Sequence, residues 1–153
     1  MSGKVHKIDL NAPIVASKSA AGFMLGMQKN DVSKEVLNLF TVTEIVNEYV
    51  KNLSLYKYYT DEVILFFEQD QLTQIGLLNN YKGTVYNELG LGSVVKDFET
   101  VFGDMVEGDE DQLVFSNLKG LCFEVDSSTY TNANWKVEIP KQKVTEIYIY
   151  EEY

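Results

Sequence analysis

The chain is 153 residues long, the size of one ordinary domain, and can bury a substantial core without disulfide or metal staples. Apolar residues make up 45% and charged residues 24%, a balance that excludes disorder across the chain as a whole. Acidic side chains outnumber basic ones 23 to 13, and the formal charge of -10 repels nucleic acid backbones and anionic membranes while suiting a basic partner.

The start, MSGKVHKIDLNAP, has no long apolar run, so neither a signal peptide nor a membrane span is expected. Cys122 is the single cysteine, which fits a reducing cytoplasm. From Asn30 to Leu53 apolar residues recur at helical spacing, clearest in Val42, Ile45, Val46, Tyr49, Val50 and Leu53. Thr41 followed by Glu44 has capping-box spacing, so this segment reads as one long helix or as two with a break near Thr41. Tyr56, Tyr58 and Tyr59 end the helical region and cover the edge of the core. DEVILFFEQDQLTQIGLL then holds two apolar runs separated by Glu-Gln-Asp-Gln, the pattern of an antiparallel hairpin. Tyr81-Lys82-Gly83 turns the chain toward a strand around Thr84 to Leu91. Val94, Val95, Phe98, Val101 and Phe102 line one side of a short helix, with Ser93 as its N-cap and Gly103 as its stop. After the acidic loop GDMVEGDEDQ come the strand-like LVFSN and LCFEV, a polar stretch DSSTYTNANW and a final strand, KVTEIYIYEEY. These elements predict a single α+β domain over 1–153, an antiparallel sheet with helices packed on one face.

The glycines of Tyr86 to Phe102, YNELGLGSVVKDFETVF, raise the question of a phosphate loop. A dinucleotide fingerprint needs a third glycine where Val95 stands, and a P-loop needs a lysine after Gly92. Neither is present. The glycines recur instead: Leu25-Gly26 precedes Asp31-Val32 as Leu91-Gly92 precedes Asp97-Phe98, 66 residues on. Gln71 to Leu77 likewise parallels Lys143 to Ile149, 72 residues on. If the matches reflect duplication, Gly26 and Gly92 each turn a strand into a helix that packs on its own hairpin, giving two repeated strand-helix-hairpin units.

The pattern Leu-Gly-x4-Asp-apolar, ending the second time in Phe102-Gly103, resembles the repeated helix-and-hairpin units of the beta-lactamase inhibitor proteins and of small outer-membrane assembly lipoproteins. YKGTVYNELGLGSVVKDFETVFGD through DEDQLVFSNLKGLCFEVD is similar to small acidic immunity proteins encoded beside bacterial polymorphic or contact-dependent toxins. The chain lacks a lipidation cysteine near its start. The resemblance implies a protein that neutralises a partner by binding it.

Catalytic chemistry finds little support. His6 is the sole histidine, so a nucleophile built on Cys122 or a serine has one candidate base, near the terminus, and no His or Cys stands at metal spacing to it. Cys122 in LCFEV reads as a buried strand residue. Glu107, Asp109, Glu110 and Asp111 lack EF-hand spacing, and read as a solvated loop or as a contact surface for a basic partner. Tyr148 and Tyr150 alternate with Ile147 and Ile149, so one face of the last strand carries a tyrosine row, flanked by Glu151 and Glu152, which reads as plain sheet packing or as a partner-binding surface. Charge together with the resemblance implies a cytoplasmic immunity protein that occludes a cognate basic toxin domain, with a nuclease as the toxin class that fits, since a phosphate-gripping site is electropositive. No catalytic residue, cofactor or metal is expected, and no nucleic acid or membrane as partner. A small enzyme with a carboxylate-based site and a structural interaction module are the alternatives.

Overall fold

The computed structural model describes residues 4–46, 54–86, 88–107, 112–126 and 135–151. A small hairpin of β1 (Ser19–Ala20) and β2 (Phe23–Met24) is followed by a 3-10 turn (Lys29–Asp31) and α1 (Lys34–Leu37). Four strands then run as a meander: β3 (Thr41–Glu44), β4 (Leu55–Tyr59), β5 (Val63–Glu68) and β6 (Gln71–Leu78). The two-turn helix α2 (Val95–Phe102) opens a second meander of β7 (Met105–Glu107), β8 (Leu113–Phe115), β9 (Leu118–Val125) and β10 (Val144–Tyr150). Between β9 and β10 lie α3 (Trp135–Glu138) and a 3-10 turn (Ile139–Lys141).

The two meanders join into one sheet of eight strands, ordered β3-β4-β5-β6-β10-β9-β8-β7, with every neighbouring pair antiparallel. Strand periodicity sends Val63, Leu65 and Phe67 of β5, Ile75 and Leu77 of β6, Leu121 and Phe123 of β9, and Ile147 and Ile149 of β10 to one face, where all are buried. The N-terminal segment and α2 cover that face. Phe98 of α2 lies 5.5 Å from Phe115 and 4.9 Å from Phe123, ring centre to ring centre. Phe40 bridges Phe23 and Tyr58 at 6.2 and 6.3 Å, and Tyr58 meets Phe67 at 5.2 Å. Each such ring contributes on the order of 1.5–3 kcal/mol by leaving water, with a smaller increment for edge-on ring contacts. Tyr81 fastens the N-terminal segment: its hydroxyl donates to the Ala12 carbonyl at 2.6 Å and accepts the Ala21 N–H at 2.8 Å. Burial pushes its phenol up to about 12, further raised by the charge of Asp9.

Several sequence expectations are overturned. The fold is mostly β, with one wide antiparallel sheet and only tiny helices, so it is not the α+β arrangement of helices packed on a sheet. Within Asn30 to Leu53 the helix is limited to α1; residues 41–44 form β3, and residues 47–53 lie outside the described residues. Thr41-Val42-Thr43 is β-branched throughout, and its antiparallel pairing with Tyr56 to Tyr59 outweighs the helical spacing. The tyrosines are accordingly strand residues. Among the described residues from Thr84 to Leu91 there is no strand, only an isolated Tyr86 to Leu89 bridge. At α2 the N-cap is Val94, without a side-chain cap bond, while the Ser93 hydroxyl accepts from Gly90 N–H at 3.1 Å.

The sheet has an internal two-fold relationship. Gly26 N–H donates to the Leu72 carbonyl and Leu72 N–H to that of Met27, both at 2.8 Å. Gly92 N–H donates to the Val144 carbonyl at 2.9 Å and Val144 N–H to that of Ser93 at 2.8 Å. The register is the same in both units, shifted by 66 residues on the glycine side (26 to 92) and 72 on the strand side (72 to 144). Both glycines have left-handed φ, 89° and 86°. The repeating unit is thus a glycine turn, a short helical segment and a four-stranded meander, in place of a strand, helix and hairpin. The last strands of the two units, β6 and β10, pair antiparallel at the centre, and the Gly76 to Tyr148 pair sits on the local two-fold axis.

Candidate functional site

The face of the sheet opposite the core carries a row of directly paired residues: Tyr59, Ile64, Gly76, Tyr148 and Cys122, one from each of β4, β5, β6, β10 and β9. Beside it runs a second row of Leu78, Glu146 and Glu124. Phe66, Gln74 and Tyr150 form a third on the other side. Tyr148 and Tyr150 are half-buried, so the tyrosine row anticipated on the last strand does share one face. Its surroundings supply the chemistry.

A β-bulge places the carboxylates. Strict alternation would send Val144 and Glu146 to the same face. The register shifts between them, so Thr145 is the extra residue, Val144 turns into the core and Glu146 comes out opposite Glu124. The Thr145 hydroxyl holds the bulge by donating to the Glu124 carbonyl at 3.1 Å. The first unit has the same device: β5 and β6 shift register at Phe66/Phe67, and Thr73 donates to the Phe66 carbonyl at 3.2 Å. In that unit the residues equivalent to Glu124 and Glu146 are Phe66 and Gln74, an uncharged pair. Two facing carboxylates are therefore not a requirement of the fold. Like charges directly opposed across strands destabilise a sheet.

The electrostatics follow from that pairing. The Tyr148 hydroxyl donates to Glu146 Oε1 at 2.8 Å. Glu124 is pushed up to about 7, first by its hydrogen bond to Glu146, then by burial and by the Glu146 charge. Near neutral pH its carboxyl thus holds a proton that an ordinary glutamic acid has lost. Tyr148 is raised far above the phenol range by burial and by Glu146. Burial, with the neighbouring Glu124 charge, pushes the Cys122 thiol up to about 12, so the sulfur is an unreactive thiol at neutral pH.

The sequence-selected residues fall in separate places. Glu107 ends β7 at one edge of the sheet, with β8 and β9 between it and β10, roughly 14 Å away at ordinary strand spacing. Asp109, Glu110, Asp111 and Glu152 lie outside the described residues. Glu151 is exposed just beyond β10 and, with Tyr150, Glu68 and the Gly26 turn, lines an open hollow of about 380 Å³. His6 is exposed on the N-terminal segment. Among the described residues no cluster of His, Cys, Asp and Glu is arranged to hold a metal ion, and no helix is long and apolar enough to cross a membrane. Sequence reasoning missed Glu124 and Glu146, whose alternation with Cys122 and Tyr148 was visible but whose opposition depends on strand register and the bulge.

No family model matches the sequence, and no curated protein matches it. Among solved structures the chain is similar to the crystal structure of the uncharacterized protein yfeY from Escherichia coli, with a TM-score of 0.56 and 9% identity. The match covers 95% of this chain and 99% of that one, so the likeness is of the whole fold. At that identity it speaks to the fold alone.

Proposed function

We propose that this chain is a cytoplasmic immunity protein that neutralises a basic toxin domain, a nuclease by preference, through stoichiometric binding. The observation that carries the reading is the second unit's departure from the first: Glu124, Glu146 and Tyr148 stand where Phe66, Gln74 and Gly76 would satisfy the same fold. Two carboxyls that share a proton near neutral pH can both ionise, without weakening the sheet, if a cation on a partner offsets the second charge, and tyrosine supplies rigid contact area around them. The chain's formal charge of -10 supports the same partner by steering a basic domain toward it. The acidic run Glu107 to Asp111 and the Glu151 end of β10 widen the target for such steering.

The test is a titration of the purified chain against a basic nuclease domain that co-purifies with it, with nuclease activity as readout. Activity falling in proportion to added chain and vanishing near one equivalent is the expected result. Inhibition that needs a large excess, or that proceeds by modification of the toxin, overturns the reading.

One observation favours a second reading, a small enzyme with a carboxylate site: a carboxyl titrating at about 7 is suited to acid–base work. Glu124→Gln separates the two. It abolishes turnover in an acid–base enzyme at any protein concentration, whereas in a stoichiometric inhibitor it weakens binding and is overcome by adding more of the chain.

A further inference from the structure

The two ends of the sheet differ in how their free edges are treated. β7 begins with Met105, whose N–H is taken by the Glu99 side chain of α2 at 3.1 Å. By the 66-residue relationship the position equivalent to Glu99 is Ser33, whose hydroxyl is used to accept the Val36 N–H at the start of α1. Ser33 is thus spent on its own helix and does not tie down β3. The four residues of that strand, Thr41 to Glu44, are all exposed, and β4 is the strand they pair with. The strand carries no lysine and no proline, the residues that commonly protect an open edge from pairing. Exposed apolar side chains border it: Leu39 at 63%, Val42 at 47% and Val46 at 80% of full exposure.

An edge that no other described strand covers, with apolar flanks, selects an extended chain as its occupant, since only a strand can satisfy a row of backbone donors and acceptors. Charge selects which kind. Glu44 closes one end of β3, and exposed Asp61 stands in the turn two residues past Tyr59, the residue opposite Thr41. Together with a formal charge of -10, this disfavours a second copy of the chain and favours a cationic segment. We propose that β3 is a docking edge to which an extended segment of the partner adds as a further strand, its lysine or arginine residues meeting Glu44 and Asp61. The proposal rests on the partner being basic, as in the inhibitor reading. It adds a second contact on the far side of β4, β5 and β6 from the Glu124–Glu146 pair, so a partner would grip both the edge and the face of the sheet.

The test uses the full chain and three synthetic peptides with one alternating valine and threonine core. One is flanked by lysines, one by glutamates, and the third is the lysine peptide N-methylated at alternate amides along the pairing edge. Hydrogen exchange of the β3 amides, resolved by NMR, is the readout. The Ile45 N–H donates to the Leu55 carbonyl of β4, so by alternation the amides of Val42 and Glu44 face the free edge, and the lysine peptide is expected to slow their exchange at least tenfold and the other two to leave it unchanged. No protection by the lysine peptide at millimolar concentration, or equal protection by the methylated one, overturns the proposal. So does β3 protection in the free protein that grows with protein concentration, which assigns the edge to a second copy. Because no toxin enters the experiment, its failure is distinct from failure of the inhibitor reading, which the nuclease titration tests.

Discussion

The Tyr148 ring lies over Gly76, its partner across the central strand pair: a Cβ on Gly76 would come within 2.6 Å of Cε1 and 2.9 Å of Cδ1 of that ring. These two residues occupy the local two-fold axis, where the units present the same position twice to the same spot. Two large side chains cannot both fill it. One unit has given up its side chain, and the other uses the room to lay a tyrosine across the sheet and bring its hydroxyl to Glu146.

Gly76→Ala is expected to destabilise the protein by about 1–3 kcal/mol, because the ring and the Ile64 Cβ, 3.2 Å from the added methyl, must both move. Urea denaturation measures it. In a Tyr148→Ala background the same substitution should cost less than half as much. Equal costs in the two backgrounds would place the clash elsewhere than at the ring.

Glu124 makes stability depend on pH. Its carboxyl titrates at about 7 in the folded protein, against 4.5 for an unperturbed glutamic acid, so between those values the folded chain binds a proton that the unfolded chain releases. The stabilisation is complete below the lower value, declines as pH rises between the two, and is gone above the upper one. Melting temperature should therefore fall from about pH 5 to about pH 8, and Glu124→Gln should flatten that decline while raising stability at the alkaline end. A Glu124→Gln protein that retains the full slope would locate the titration in another group.

Gly26 and Gly92 test the repeat energetically. Both have left-handed φ and neither has a close neighbour where a Cβ would go: the nearest atom to Gly26 is at 3.9 Å, and Gly92 has none within 4 Å. Alanine at either position should then cost only the conformational term, about 1–2 kcal/mol, and asparagine less. Denaturation midpoints of the four variants check this. A neutral Gly92→Ala would mean that the turn relaxes to another conformation.

What the sequence disclosed depended on how local the controlling physics was. The hairpin of β5 and β6 was legible because its alternation and its turn lie within one stretch, Val63 to Leu78. The glycine turns were legible as a repeat because left-handed φ restricts residue choice at Gly26 and Gly92. β3 was misread because Val42, Ile45 and Val46 fit helical spacing, and what decides the matter is pairing with a strand more than ten residues on. The site was half legible. Tyr148 and Tyr150 share a face by alternation alone, whereas Glu124 meets Glu146 only through a register set by the Thr145 bulge. No one-dimensional pattern records that.

The acidic run and the sheet face are separable as partner contacts, since β7 stands at the edge and β10 at the centre. In the inhibitor reading, Glu107 at the end of β7 and the acidic residues that follow it in sequence would act at the rim, where charge speeds encounter and salt screens it. Tyr148 and Glu146 are half-buried and joined by their own hydrogen bond, and in the same reading would act at contact distance, where loss appears in the dissociation rate. Asp109→Lys with Asp111→Lys should then slow association with the toxin severalfold and flatten its salt dependence, leaving dissociation and thermal stability nearly unchanged. Tyr148→Ala should do the reverse, raising the dissociation rate tenfold or more, in line with about 1.4 kcal/mol or greater, with association little altered. Surface plasmon resonance at low and moderate ionic strength separates the two signatures. If the charge reversal alone abolishes binding while Tyr148→Ala binds as the parent does, the toxin sits on the edge of the sheet, and the carboxylate pair must answer to something other than the partner.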